Sequence, residues 1–187
     1  RIREGRGERT ALIADGRPWT YREGQAHANR YAQQLTTAGV RPEQRVIIAL
    51  PDGPEYVAAL FGTLKIGAVV VMVNPELKPD AIEYFFDYSR AAVALVTAER
   101  ADAFRAASNR AAHRPQLIIT DGTEWRAGLA SSPDSFRNYP THPDDPAIWL
   151  FSGGTTGKPK AAVQPHRSFV NTAECYARHV LRYTEDD

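Results

Sequence analysis

Short apolar runs recur along this chain at 46–50, 68–73, 92–96, 117–120, which Thr120 closes, and 147–151. Between the first four, apolar residues repeat at helical spacing. No other feature narrows the fold as much. A run that is apolar at every position fits a strand covered on both faces, as in a parallel sheet. Parallel neighbours need a long crossover, and a right-handed helical crossover is the economical one. The expectation is therefore an α/β fold, a layered and mostly parallel sheet with helices on both faces. The run at 46–50, closed by Pro51-Asp52-Gly53, is expected in mid-sheet.

Punctuation residues place the helices. Thr20 followed three positions later by Glu23 is a capping-box pattern. Tyr21, Ala28, Tyr31, Ala32 and Leu35 then recur at helical spacing until Gly39. Ahead of it, the segments at 11–14 and 19–21 flank Asp15-Gly16 and read as a short hairpin. Pro54 opens a second helix with Val57, Leu60, Phe61 and Leu64 on one face. Pro79 opens a third with Ile82, Phe85 and Phe86, and 99–109 reads as a fourth. Tyr84 and Tyr88 read as core with their phenylalanine neighbours. Residues 121–146, broken by Ser131-Ser132-Pro133, Pro140, Pro143 and Pro146, read as a surface connection. After a polar loop at 152–160, Phe169, Ala173, Tyr176, Ala177 and Val180 predict a closing helix, with Cys175 as one of its core residues.

Composition removes several classes of function. Lysine plus arginine number 23 against 22 acidic residues, a net charge of +1, so no basic field suited to nucleic acid exists. One cysteine allows no internal disulfide, which makes the cytoplasm the default expectation. No apolar run approaches the ~20 residues needed to span a bilayer, so no membrane partner is expected. The chain opens on Arg1 and its only methionine is Met72, which reads as a trimmed piece. His27, His113, His142 and His179 lack metal-ligand spacing, so no metal site is assigned. Asp144-Asp145 and Glu185-Asp186-Asp187 read as solvated. Composition is silent on the oligomeric state.

Chemistry is expected where the last apolar run empties into Ser152-Gly153-Gly154-Thr155-Thr156-Gly157-Lys158-Pro159-Lys160. Ligands of open α/β sheets collect beyond the carboxyl ends of strands. The three glycines let the backbone approach an anion and turn successive N–H groups toward it. Ser152, Thr155 and Thr156 add hydroxyls, and Lys158 and Lys160 add positive charge. Such a loop suits phosphate. It is not the common nucleotide loop, because Pro159 follows Gly157-Lys158 where that motif needs Ser or Thr.

The stretch resembles the phosphate loop of the adenylate-forming enzymes, roughly [ST]-[SG]-G-[ST]-T-G-x-P-K-G. That family includes acyl-CoA and aryl-CoA synthetases, firefly-type luciferases and the adenylation domains of peptide synthetases. The resemblance extends to Gly16-Arg17-Pro18-Trp19-Thr20-Tyr21, the 46–50 strand, Gly67-Ala68 and Val73-Asn74-Pro75, and so covers essentially the whole chain. Two positions depart from the pattern: Gly153 replaces a frequent serine, and Ala161 replaces the glycine that follows Pro-Lys.

The resemblance implies an ATP-dependent carboxylic acid–CoA ligase. ATP, Mg2+, coenzyme A and a small carboxylic acid are the implied partners. Ser152, Thr155, Thr156 and the amides of Gly153, Gly154 and Gly157 would hold the β- and γ-phosphates, with charge from Lys158 and Lys160. Thr156 and Lys160 would act on the transition state, and His166 would lie near the acyl pocket. Residues 1–187 would form part of the N-terminal AMP-binding domain. The remaining machinery, including a late catalytic lysine, would follow Asp187, so the piece alone is expected to be inactive. Trp149-Leu150, Asn171-Thr172-Ala173-Glu174, Tyr176 and Thr184-Glu185-Asp186-Asp187 are similar to benzoate-type CoA ligases, which implies an aromatic or related cyclic acid and leaves fatty acids open. A peptide-synthetase adenylation domain and a noncatalytic nucleotide-binding module are the alternatives.

Overall fold

The structure, a computed structural model, describes residues 5–153 and 157–184. It begins with a hairpin of β1 (Thr10–Ala14) and β2 (Arg17–Thr20). Asp15 and Gly16 both take positive φ, 50° and 72°, the combination that a two-residue hairpin turn requires. Thr20 then caps α1 (Tyr21–Thr37): its Oγ1 accepts from the Glu23 N–H at 3.1 Å, and its own N–H donates back to the Glu23 carboxylate at 2.8 Å. The predicted capping box is present in full.

The main sheet has six strands. Their spatial order is β6 (Gln116–Ile119), β5 (Val93–Val96), β3 (Arg45–Ala49), β4 (Val69–Met72), β7 (Pro146–Ser152) and β8 (Lys160–Pro165). All neighbouring pairs are parallel except β7–β8. The run at 46–50 thus lies inside the sheet, as expected.

Strand alternation explains why these runs are apolar throughout. Val46, Ile48, Val70 and Leu95 face one core with Tyr31 and Leu35 of α1, and with Ala58 and Ala59 of α2 (Pro54–Lys65). Ile47, Val71, Ala94 and Val96 face the other core. There they meet Phe85 and Phe86 of α3 (Pro79–Ser89) and Phe104 of α4 (Ala101–Arg110). Successive strand residues point to opposite faces, so a strand with helices on both sides has no solvent face to make polar.

Two helical expectations change. In α2 the buried stripe is Ala58, Ala59, Gly62 and Thr63, while Phe61 is exposed. The reason is close helix packing: a Cβ at Gly62 would lie 2.7 Å from the Tyr31 Cβ and 3.0 Å from the Ala32 nitrogen. Small residues, not large ones, mark this contact. The connection at 121–146 also contains a helix, α5 (Thr123–Ser131), with Trp125 and Leu129 buried. One apolar pair four residues apart in nine residues is too little to reveal a helical period. Polar side chains of α1 secure the region: Gln34 Nε2 donates to the Gly128 carbonyl at 3.1 Å, and Asn29 Nδ2 to the Asp134 carbonyl at 2.6 Å. Among the described residues, no helix is long and apolar enough to cross a membrane.

Candidate functional site

Strand β7 runs parallel to β4, pairing Val70 with Ile148 and Val71 with Trp149. Its carboxyl end at Phe151 and Ser152 therefore emerges at the same sheet edge as the carboxyl ends of β3, β4 and β5. Strand β8 returns antiparallel, pairing Ser152 with Lys160 and Phe151 with Ala161. The glycine-rich stretch is thus the connection of a hairpin raised at the carboxyl edge of a parallel sheet. The closing helix begins at His166 as expected, but between it and the loop the structure adds β8, a strand that the sequence reading did not assign. The Lys-Ala-Ala-Val-Gln-Pro sequence of that strand has neither a fully apolar run nor a helical period, and its place at the sheet edge leaves it largely exposed.

Ser152, Gly153, Gly157, Lys158 and Lys160 are all exposed there. Gly154, Thr155 and Thr156 lie outside the described residues. An added Cβ at Gly153 or Gly157 would meet nothing within 4 Å, so the space over those amides is open to a ligand. Between 147 and 165 the chain holds no aspartate or glutamate. The donor set therefore fits a polyphosphate and does not fit a magnesium site of its own. Among the described residues, no group of three or more His, Cys, Asp or Glu could hold a metal ion. Ala161 sits in the extended ladder opposite Phe151, where an alanine is as suitable as glycine.

Residues of α3 hold the exit of the loop, a role that the sequence reading missed. The Tyr84 hydroxyl donates to the Pro159 carbonyl at 2.6 Å, and the Lys158 ammonium stands 5.0 Å from the centre of the Tyr84 ring. A phenol is protonated at neutral pH and can donate; desolvation by burial, and then the nearby Tyr88, push that of Tyr84 further upward. Tyr88 stacks edge-on against Phe151 and Trp149 of β7. Phe85 and Phe86 are core as expected, but Tyr84 is half-buried and Tyr88 exposed. An aromatic on a helix one turn from core phenylalanines carries no sequence signal that sets it apart.

The structure does not bring His166 to the loop. Pro165 pairs with Pro146, at the opposite end of the hairpin from the Ser152–Lys160 pair. At the rise of a strand, His166 stands about 20 Å along β8 from Lys160. It begins the short α6 (Arg167–Asn171), donates its N–H to the Asp145 carbonyl at 3.1 Å, and has a buried Nε2 without a partner among the described residues. Burial lowers its pKa, against the nearby Asp145 charge. Together with Thr141, Pro143 and Val170 it lines a groove of about 390 Å3. Cys175, expected in a core, is exposed on the π-helical turn Thr172–Arg178 that continues α6. Phe169, Val170 and Tyr176 around it are exposed as well.

Comparison with known proteins follows the same outline. The benzoate–CoA ligase of Thauera aromatica is 35% identical over 187 residues, which is 98% of this chain and 36% of that protein. The phosphinothricin tripeptide synthetase PhsC of Streptomyces viridochromogenes is 36% identical over 183 residues, 94% of this chain and 16% of that protein. The crystal structure of a benzoate CoA ligase from Burkholderia xenovorans LB400 superposes with a TM-score of 0.87 at 30% identity, over 98% of this chain and 37% of that one. The chain thus spans about a third of the length of the benzoate ligases that it matches. The AMP-binding enzyme family matches residues 2–187, and with the loop, the sheet and both ligases in agreement, this chain belongs to that family.

Proposed function

We propose that these residues form the first part of the N-terminal AMP-binding domain of an ATP-dependent carboxylic acid–CoA ligase whose substrate is an aromatic or related cyclic acid. In the reaction a carboxylate oxygen attacks the α-phosphorus of ATP and the bond to pyrophosphate breaks, leaving an acyl adenylate. The thiolate of coenzyme A then attacks the acyl carbon, and AMP departs. The observation that carries this reading is the match of 98% of this chain to about a third of a benzoate–CoA ligase's length, 36% of that protein, with open space beside Gly153 and Gly157 where β7 turns into β8.

The loop's part follows from where charge develops. Negative charge grows on the departing pyrophosphate, so donors already aimed there are worth more in the transition state than before it. The Ser152, Thr155 and Thr156 hydroxyls and the Gly153, Gly154 and Gly157 amides supply neutral donors, and Lys158 and Lys160 supply charge. Magnesium would arrive on the nucleotide, because the loop brings no carboxylate for it. His166, at the far end of β8, takes no part in handling the phosphates.

The test is ATP–pyrophosphate exchange by the full-length protein with benzoate, hydroxybenzoates and fatty acids, followed by thioester formation with free coenzyme A. Exchange is expected with an aromatic acid. Lys160→Ala or Thr156→Val is expected to slow it at least ~10-fold, the loss of one transition-state contact. Absence of exchange with every acid would sink the proposal. The identity to PhsC favours a second reading, an amino-acid-activating adenylation domain. That reading predicts exchange with an amino acid and transfer to a carrier-bound thiol instead of free coenzyme A.

A further inference from the structure

Tyr84 stands 75 residues away from Pro159 in sequence, yet it contacts two consecutive residues at the loop's exit. Pro159 has no N–H, so its only backbone polar group is the carbonyl, and Tyr84 satisfies it at 2.6 Å. The neighbouring Lys158 ammonium lies 5.0 Å from the centre of the same ring, within cation–π range. One turn along α3, the Tyr88 hydroxyl accepts from the Ala161 N–H at 3.5 Å. Three successive contacts, at 158, 159 and 161, thus tie the start of β8 to one face of α3. Phe85 of the same helix packs edge-on against Phe151 at 4.6 Å, so the anchor point is itself fixed to the strand that leads into the loop.

We propose that Tyr84 is a positioning residue for the phosphate loop. Its hydroxyl fixes Pro159 and its ring parks the Lys158 ammonium, so the glycine-rich stretch receives a polyphosphate from an exit already held in place. A loop whose exit is preordered loses less conformational freedom when the ligand arrives, and this gain appears in binding. The ligand's identity rests on the ligase reading above, whereas the anchoring of the loop does not.

The test uses the full-length protein with Tyr84→Phe, which removes the hydroxyl and keeps the ring, Tyr84→Leu, which removes both, and Lys158→Gln, an exposed change that leaves α3 intact. Trypsin reads the anchor directly. The Lys158–Pro159 bond resists it because proline follows, while the Lys160–Ala161 bond becomes cleavable when the exit opens. Cleavage after Lys160 is expected to quicken about fivefold in Tyr84→Phe, the weight of one neutral hydrogen bond. About a tenfold rise is expected in Tyr84→Leu, and about twofold in Lys158→Gln. In pyrophosphate exchange, KM for ATP is expected to rise about threefold in Tyr84→Phe and further in Tyr84→Leu, with kcat of the Phe variant within about twofold of the parent.

Wild-type cleavage rates in both Tyr84→Leu and Lys158→Gln would overturn the proposal. Faster cleavage with an unchanged KM for ATP would overturn the positioning role and leave a packing contact. A parent protein that exchanges no pyrophosphate with any acid would sink the ligase reading alone, because the cleavage comparison needs no turnover.

Discussion

The centre of the sheet and its β7–β8 edge share one hydrogen-bonded ladder, but they meet solvent in opposite ways. Val46, Ile47, Ile48, Val70, Val71 and Leu95 are 0% exposed, whereas Leu150 is 42% exposed and Val163 50%. The apolar residues that follow, Phe169, Val170 and Val180, are open too. Helices α1, α2 and α5 cover one face of the central strands and α3 and α4 the other. At the edge, α3 supplies Phe85 and Tyr88 to one side of β7. Membership of a sheet, then, does not bury a strand; a second layer does. The glycine-rich stretch leaves from the less covered limb, with open space beside Gly153 and Gly157, and the covered part provides the rigid support on which binding loops are commonly mounted.

The contrast can be tested from both ends. Phe104→Ala, in a fully buried site between α4 and the sheet, is expected to cost about 3–5 kcal/mol in urea unfolding. Val163→Ala on the exposed edge is expected to cost less than about 1 kcal/mol. Equal losses would abolish the distinction. Gly62→Val is expected to cost about 1–3 kcal/mol, because its Cβ would press on Tyr31 and on the Ala32 backbone at 2.7 and 3.0 Å.

A smaller effect concerns acid stability at the α1–α2 contact. The Glu55 carboxylate accepts from the Tyr31 hydroxyl and hydrogen-bonds the His27 ring at 3.0 Å. Burial by itself raises the Glu55 pKa, but the bonds from His27 and Tyr31 outweigh burial and leave it below the usual carboxylate range. A carboxyl whose folded pKa is depressed stabilises the fold above its unfolded pKa of about 4.3, and that stabilisation is lost as pH falls through the folded value. Thermal midpoints measured from pH 6 down to pH 3 are therefore expected to fall more steeply in the parent than in Glu55→Gln. Parallel curves would show that this contact carries no pH dependence. The smallest effect is expected at Gly153→Ala, within about 0.5 kcal/mol, because no atom lies within 4 Å of the added carbon. A larger loss in calorimetry would mean that the open limb is packed after all.

Much of the molecule was legible in residue order because its causes are local. The Thr20–Glu23 box, the Asp15-Gly16 turn and the proline starts at Pro54 and Pro79 each act within one turn of chain. The glycine-rich stretch was legible for the same reason, since its amides, hydroxyls and ammonium groups are neighbours in sequence. Strand β8 was not legible. Its six residues carry no period of their own, and pairing with β7 alone makes them a strand. Helix α5 was hidden in a similar way, since its burial depends on α1 lying beside it.

By itself, then, the order of residues determined an α/β chain with doubly covered strands and a glycine-rich loop, bearing hydroxyls and lysines, after the last apolar run. Tertiary structure alone decided that the loop is a hairpin, that Tyr84 grips its exit, that His166 stands at the far end of β8, and that Cys175 faces solvent. The physical reason is one of range. Turn, cap and period preferences act over a few residues, whereas the partner of an edge strand or a loop carbonyl is chosen by where the crossovers deliver segments many tens of residues apart.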